Sequence, residues 1–144
     1  MSDGINCTNR IVVTDDDPLL RELLSLVLEG RGYELLMAEN GREVQTLVAE
    51  HDVGLILLDL MMPVMDGIQF LRWLRKEKES SIPVLVLSAM IKPGLEHELY
   101  ALGATAVMAK PISMEHLVAE VERLLGGNGC SARSSPLRSF PRAV

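Results

Sequence analysis

Five short apolar runs, each followed by a segment with helical spacing, limit the folds open to this chain more than any other feature. The runs are Ile11–Thr14, Leu35–Ala38, Val53–Leu58, Val84–Ser88 and Ala106–Ala109. Their near-continuous apolarity, without polar alternation, is typical of strands that are covered on both faces of a parallel sheet. The sequence therefore predicts five buried parallel strands.

Apolar residues between and after these runs recur every three or four positions, as they do on one face of an amphipathic helix. Sets with this spacing begin at Leu20, Val44, Ile68, Leu95 and Leu117. Asp17 before Pro18 is typical of an N-cap followed by a first-turn proline, and Asp66 and Ser113 are placed to begin later helices. Strands alternating with helices predict an α/β fold: a doubly wound (βα)5 domain with a central five-stranded parallel sheet.

The length of 144 residues suits one compact domain. We place this domain at residues 8–125. Residues 126–144 are rich in Gly, Ser and Pro, contain three arginines and no acid, and lack apolar periodicity. That composition predicts a disordered tail or the remnant of a linker. The chain is then either a stand-alone protein or one domain of a longer protein.

Composition argues against several functional classes. The net charge of −6 and the aromatic content of 3% do not favour direct nucleic-acid binding, which uses basic surfaces and stacking rings. No apolar run approaches the roughly 18–20 residues that span a bilayer, so we expect no membrane contact. The N-terminus lacks a signal-peptide pattern, and Cys7 and Cys130 have no redox or zinc-site spacing. We therefore expect a reducing, cytoplasmic location.

Polar residues whose side chains can take part in chemistry directly follow three of the predicted strands and end a fourth. Asp15 and Asp16 follow the first strand, Asp59 the third and Lys110 the fifth, while Ser88 ends the fourth. Each residue alone also fits a solvated turn, but the carboxyl ends of parallel strands share one edge of the sheet, where sites form. Clustered carboxylates favour Mg²⁺, and a lysine opposite them suits a phosphoryl group carried on a carboxylate nucleophile.

Four segments, in this order, resemble the signature blocks of the response regulator receiver domain. They are IVVTDDDPLLRELL (11–24), LILLDLMMPVMDG (55–67), PVLVLSAM (83–90) and VMAKP (107–111). The resemblance covers about residues 8–125. It implies a flavodoxin-like fold and a part in two-component phosphorelay signalling.

The resemblance also implies a set of metal ligands. By motif position Asp59 would be the phosphoacceptor and would bind Mg²⁺ together with Asp16 and the backbone carbonyl of Met61. Asp15 would reach the ion through a water molecule. No glycine-rich phosphate loop follows the first strand, which argues against a nucleotide-binding site.

The remaining motif positions concern the phosphoryl group and its readout. Lys110 would pair with the phosphoryl oxygens, and the hydroxyl of Ser88 would follow the group on activation. Val107 stands where many receivers have an aromatic switch residue, so no rotating ring can report phosphorylation here. We expect the readout surface to include the fourth helix, at residues 92–102, and the fifth strand.

We therefore expect a phosphorylation-dependent switch rather than a turnover enzyme. A histidine kinase or phosphotransfer protein would supply the phosphoryl group, and a downstream protein or a missing output domain would respond. Homodimer formation on phosphorylation is left open. One alternative is a constitutive interaction module that is never phosphorylated. Another is a metal-dependent phosphohydrolase, which would need an acid–base carboxylate where Met61 stands.

Overall fold

The computed structural model describes residues 9–15, 17–60, 66–89 and 93–125, in which five strands alternate with five helices. The strands are β1 (Arg10–Thr14), β2 (Glu34–Ala38), β3 (Leu55–Asp59), β4 (Val84–Ser88) and β5 (Ala106–Ala109). The helices are α1 (Pro18–Glu29), α2 (Gly41–Glu50), α3 (Gly67–Arg72), α4 (Leu95–Leu102) and α5 (Met114–Leu125). None of these helices is long and apolar enough to cross a membrane.

The five strands form one parallel sheet in the order β2-β1-β3-β4-β5. Val12 pairs with Leu36 of β2 on one side and with Ile56 of β3 on the other. Because the strand order reverses between β1 and β3, the crevice for a ligand is expected beyond their carboxyl ends. The predicted doubly wound, flavodoxin-like fold is confirmed.

Both faces of the sheet are covered by helices, as the apolar runs predicted. Alternate strand residues point to opposite faces. Leu57 packs in the cluster that holds Leu24 of α1 and Leu117 of α5. Leu58 packs in the cluster that holds Phe70 of α3, and α2 and α4 contribute to the same cluster. Because helices cover both faces, polar groups can gather only beyond the ends of the strands.

The predicted helix starts are confirmed by hydrogen bonds to the capping residues. Asp17 Oδ1 accepts a bond of 3.0 Å from the Leu19 amide, at the start of α1. Asp66 Oδ1 accepts a bond of 2.9 Å from the Gln69 amide, and Gln69 Oε1 accepts one of 3.2 Å from the Asp66 amide. This reciprocal capping box fixes where α3 begins, directly below the end of β3.

The third helix departs from the single helix that its apolar spacing predicted. After Arg72 it continues as a π-helical turn, Trp73–Glu77, in which the Lys78 amide donates to the Trp73 carbonyl. Within this turn the Arg75 guanidinium donates to the carbonyls of Gly103 and Ser80. These partners belong to other segments, so apolar spacing along the helix carried no sign of the wider turn.

Candidate functional site

Three predicted site residues meet at the carboxyl edge of the sheet. Asp15 follows β1, Asp59 is the last residue of β3, and Lys110 follows β5. Lys110 Nζ lies 2.8 Å from Asp15 Oδ2 and 3.5 Å from Asp59 Oδ2. The two aspartates are 1% and 4% exposed, so one ammonium links two carboxylates that are shielded from water.

Asp15 is held in this position by hydrogen bonds at several atoms. Its amide donates to the Ala38 carbonyl of β2. Its Oδ1 accepts a bond of 2.9 Å from the Asp17 amide, which belongs to the same turn that begins α1. Its backbone carbonyl accepts a bond of 2.6 Å from Nη1 of Arg21. The carboxylate therefore has a defined orientation towards Lys110.

Ser88 lies beside this group, at the end of β4. It is 1% exposed, and its carbonyl accepts a bond of 2.8 Å from the Lys110 amide. This backbone hydrogen bond joins the ends of β4 and β5. It therefore fixes the backbone position of Lys110. The role of the Ser88 hydroxyl stays a prediction.

Other predicted positions lie outside the described residues. These are Asp16 and Met61, expected as metal ligands, Lys92 at the start of the expected readout helix, and the whole of the 126–144 tail. The readout helix itself begins at Leu95 in the structure. The division of the chain at residue 125 likewise stays a prediction.

Gly67 packs directly against the end of β3, which carries Asp59. Its amide donates to the Leu60 carbonyl, which ties the first residue of α3 to the end of β3. A Cβ atom at this position would lie 2.8 Å from the Asp59 carbonyl oxygen and 2.9 Å from the Leu60 Cα. Only glycine allows the helix to approach the backbone of Asp59 this closely.

The charge state of Lys110 follows from its surroundings. Burial lowers the pKa of its amine, but the hydrogen bond to Asp15 and the negative charges of Asp15 and Asp59 outweigh that effect. The pKa of Lys110 is therefore raised above its ordinary value of 10.5. The side chain is therefore a stable cation at neutral pH and can donate to an anionic group.

This raised pKa predicts how stability changes in alkaline solution. The stabilisation that the Lys110 charge gives the native state should be complete below pH 10.5 and should fall as the pH rises through the higher native pKa. We expect the difference in free energy of unfolding between wild type and Lys110→Gln, measured with urea, to be constant from about pH 7 to 10 and to shrink above that. A difference that already shrinks between about pH 7 and 9 would contradict the pairing.

The donor set at this edge fits a divalent cation. Two buried carboxylates face one ammonium, which leaves a net negative charge where little water can solvate it. Carboxylate oxygens are the protein ligands that Mg²⁺ prefers. Within the described ranges, which omit Asp16, no three potential ligand side chains come together as a metal site. Asp15 and Asp59 are the described residues that would contribute.

Residues outside the predicted site set support this arrangement, and Arg21 is the one that nothing in the sequence singled out. Arg21 binds the Asp15 carbonyl, and its Nη2 lies 3.6 Å from Oε2 of Glu39, which follows β2. Gly67 supports Asp59. The signal for Arg21 was its place in the first turns of α1, since that end of the helix lies at the same edge of the sheet as the strand ends.

Comparison with known proteins agrees with this geometry. The transcriptional regulatory protein SrrA of Staphylococcus aureus is 37% identical over 118 residues, which are 82% of this chain and 48% of that protein. This chain thus spans about half the length of the curated relatives it matches.

Solved receiver structures share the fold. The receiver domain of Francisella response regulator 1452 has a TM-score of 0.77 at 30% identity, over 81% of this chain and 96% of that one. The chemotaxis response regulator CheY4 of Vibrio cholerae has a TM-score of 0.75 at 30% identity, over 81% and 98%. The sequence model of the response regulator receiver domain family matches residues 11–122. This chain therefore belongs to the response regulator receiver domain family.

Proposed function

We propose that this receiver domain is a signalling switch that is turned on by phosphorylation of Asp59. The observation that supports it most is the partly buried ammonium of Lys110, which lies within reach of the buried carboxylates of Asp15 and Asp59. A carboxylate beside a fixed cation can accept a phosphoryl group whose added charge the cation then offsets. The new group brings about −1.5 to −2 charges into this edge of the sheet, enough to bias a two-state equilibrium.

The transfer step requires little of the protein beyond placement of charge. A carboxylate oxygen of Asp59 attacks the phosphorus of a phosphohistidine, and the phosphorus–nitrogen bond breaks. The imidazole leaves as a neutral ring, because its other nitrogen already carries a proton. Lys110 keeps its own proton throughout and pairs with a phosphoryl oxygen. The Ser88 hydroxyl donates a hydrogen bond to another phosphoryl oxygen after transfer.

Magnesium completes this proposal. Asp16, Asp59 and the Met61 carbonyl would hold the ion directly, with Asp15 bonded through water. When bound, Mg²⁺ offsets negative charge on the transferring group. The cation fits here because the described carboxylates outnumber the described ammonium at the site.

The partners follow from the same chemistry. A cytoplasmic histidine kinase or phosphotransfer protein would donate the phosphoryl group, and the domain would act as a switch rather than turn over a substrate. The output would be a protein target or a further domain. That SrrA is a transcriptional regulatory protein makes a transcriptional output the first to examine. The readout surface we propose is α4 with β5, where Val107 is half-buried against the α2–α4 side of the sheet.

The competing proposal is a constitutive interaction module with the same fold. It requires no charge arrangement at the carboxyl edge, whereas this chain keeps Asp59 and Lys110 together there. A phosphohydrolase would need a carboxylate in place of Met61. The phosphorylation switch accounts for both observations.

The deciding test is the intact mass of the protein after incubation with acetyl phosphate. We expect a gain of about 80 Da, the mass of one phosphoryl group, in the presence of Mg²⁺ and none when the metal is chelated. Phosphoramidate serves as a second donor, since receivers differ in the small donors they accept. No gain with either donor, together with no Mg²⁺ binding by calorimetry, would favour the constitutive module.

A further inference from the structure

All three oxygen atoms of Asp15 are engaged, and each has a different donor. Oδ2 accepts from Lys110 and Oδ1 from the Asp17 amide, at 2.8 and 2.9 Å. The backbone oxygen accepts a bond of 2.6 Å from Nη1 of Arg21, the shortest of the three. The first two donors orient the carboxylate, whereas Arg21 holds the backbone carbonyl of Asp15.

Arg21 is itself anchored. It lies in the first turns of α1, and its side chain is 18% exposed. Its second terminal nitrogen lies 3.6 Å from a carboxylate oxygen of Glu39, whose amide in turn donates to Glu43 Oε1 at the start of α2. The planar guanidinium therefore bridges the loop after β1 and the loop after β2, with its donors in a fixed fork.

We propose that Arg21 is a positioning residue for the Mg²⁺ site: by holding the Asp15 carbonyl it sets the direction in which the chain leaves β1. This inference rests on the proposed function, because it concerns how the acidic residues after β1 present oxygens to the ion. Arg21 touches neither the ion nor the phosphoryl group in this proposal. Its effect is transmitted through the backbone of Asp15.

For the removal of Arg21, this proposal and simple electrostatics predict opposite changes in Mg²⁺ affinity. An arginine charge near carboxylates repels a second cation, so removing that charge alone would tighten Mg²⁺ binding. Loss of a hydrogen bond that orients a metal-binding loop would weaken it, as happens when groups behind metal ligands are removed. The direction of the change therefore separates the two roles.

The experiment is a calorimetric titration of Mg²⁺ into the full, unphosphorylated chain. We expect Arg21→Ala to raise the Kd for Mg²⁺ by about tenfold, the size seen when residues behind metal ligands are removed. Arg21→Lys keeps a cationic donor on a similar stem and should recover part of this loss. Melting followed by circular dichroism shows whether each variant is folded at the titration temperature. If Arg21→Ala is unfolded there, the Kd of Arg21→Lys is compared with that of wild type instead.

Two controls separate positioning from charge and from helix stability. Glu39→Gln removes the ion-pair partner but leaves the bond to the Asp15 carbonyl, so the Kd should stay within about twofold of wild type. Arg31→Ala removes an arginine just beyond the far end of α1, where it pairs with Glu122, and should leave the Kd unchanged.

Each outcome has a distinct meaning. Unchanged or tighter Mg²⁺ binding by folded Arg21→Ala, with normal binding by wild type, would overturn the role of Arg21 and leave the proposed function standing. The same loss in Arg31→Ala would also overturn it, since the effect would then be one of general stability. No Mg²⁺ binding by wild type would overturn both the inference and the magnesium part of the proposed function.

Discussion

Replacing Asp59 with asparagine should abolish the Mg²⁺-dependent mass gain completely. The amide has almost the shape of the carboxylate, but its nitrogen and oxygen are far poorer nucleophiles towards phosphorus. Asp59 is 4% exposed and within 3.5 Å of Lys110, so no other described carboxylate combines its place on β3 with this contact. Intact-protein mass spectrometry after acetyl phosphate treatment provides the measurement.

The matched control for this change is Asp52→Asn. Asp52 is exposed and precedes β3 at the opposite edge of the sheet, so its substitution should leave the mass gain intact. Asp59→Asn should remain folded, because it removes one of two carboxylates that share a single ammonium. A gain of about 80 Da retained by folded Asp59→Asn would refute Asp59 as the acceptor and turn attention to Asp15.

The second large effect is expected from Gly67→Ala. In a helix interior alanine is favoured over glycine by about 1 kcal/mol. Gly67 is the first residue of α3, so with free space the substitution would stabilise the helix by less than that. The added Cβ would instead lie 2.8 Å from the Asp59 carbonyl and 2.9 Å from the Leu60 Cα, both of them backbone atoms. We expect the overpacking to win and to lower the free energy of unfolding by about 1–3 kcal/mol.

Because the strain falls on the backbone of Asp59, the proposed phosphoacceptor, Gly67→Ala should also slow the labelling of that residue. Urea unfolding measures the stability, and the rate of mass gain measures the site. Arg72→Ala, an exposed position at the end of the same helix, should change the free energy of unfolding by less than about 0.5 kcal/mol. A stabilised Gly67→Ala would show that α3 can move away from β3 without cost.

The meeting of Asp15, Asp59 and Lys110 was predictable because a parallel sheet imposes a simple rule. Residues that directly follow or end the strands reach the same edge, whatever their separation in sequence. Asp15 and Lys110 are 95 residues apart, yet their side chains meet at 2.8 Å. Apolar runs alone located the strands well enough to identify these residues, although β3 begins at Leu55 and extends to Asp59.

The supporting contacts were not predictable in this way. In the sequence Arg21 is one more polar residue on an amphipathic helix. Only the packing of α1 brings its guanidinium to the Asp15 carbonyl. Gly67 reads as a turn residue until α3 is seen to press against Asp59. In the π-helical turn, the contacts of Arg75 with the carbonyls of Gly103 and Ser80 likewise appear only in the folded structure.

For this protein the sequence by itself determined the five strands, the amphipathic helices and the acidic, hydroxyl and amine groups at the strand ends. Periodicity and chain direction suffice for these, because they are local properties. The tertiary structure alone decided which helix residues hold those groups and how closely a helix approaches a strand. Such contacts depend on the packing of whole elements against each other, which spacing along the chain does not record.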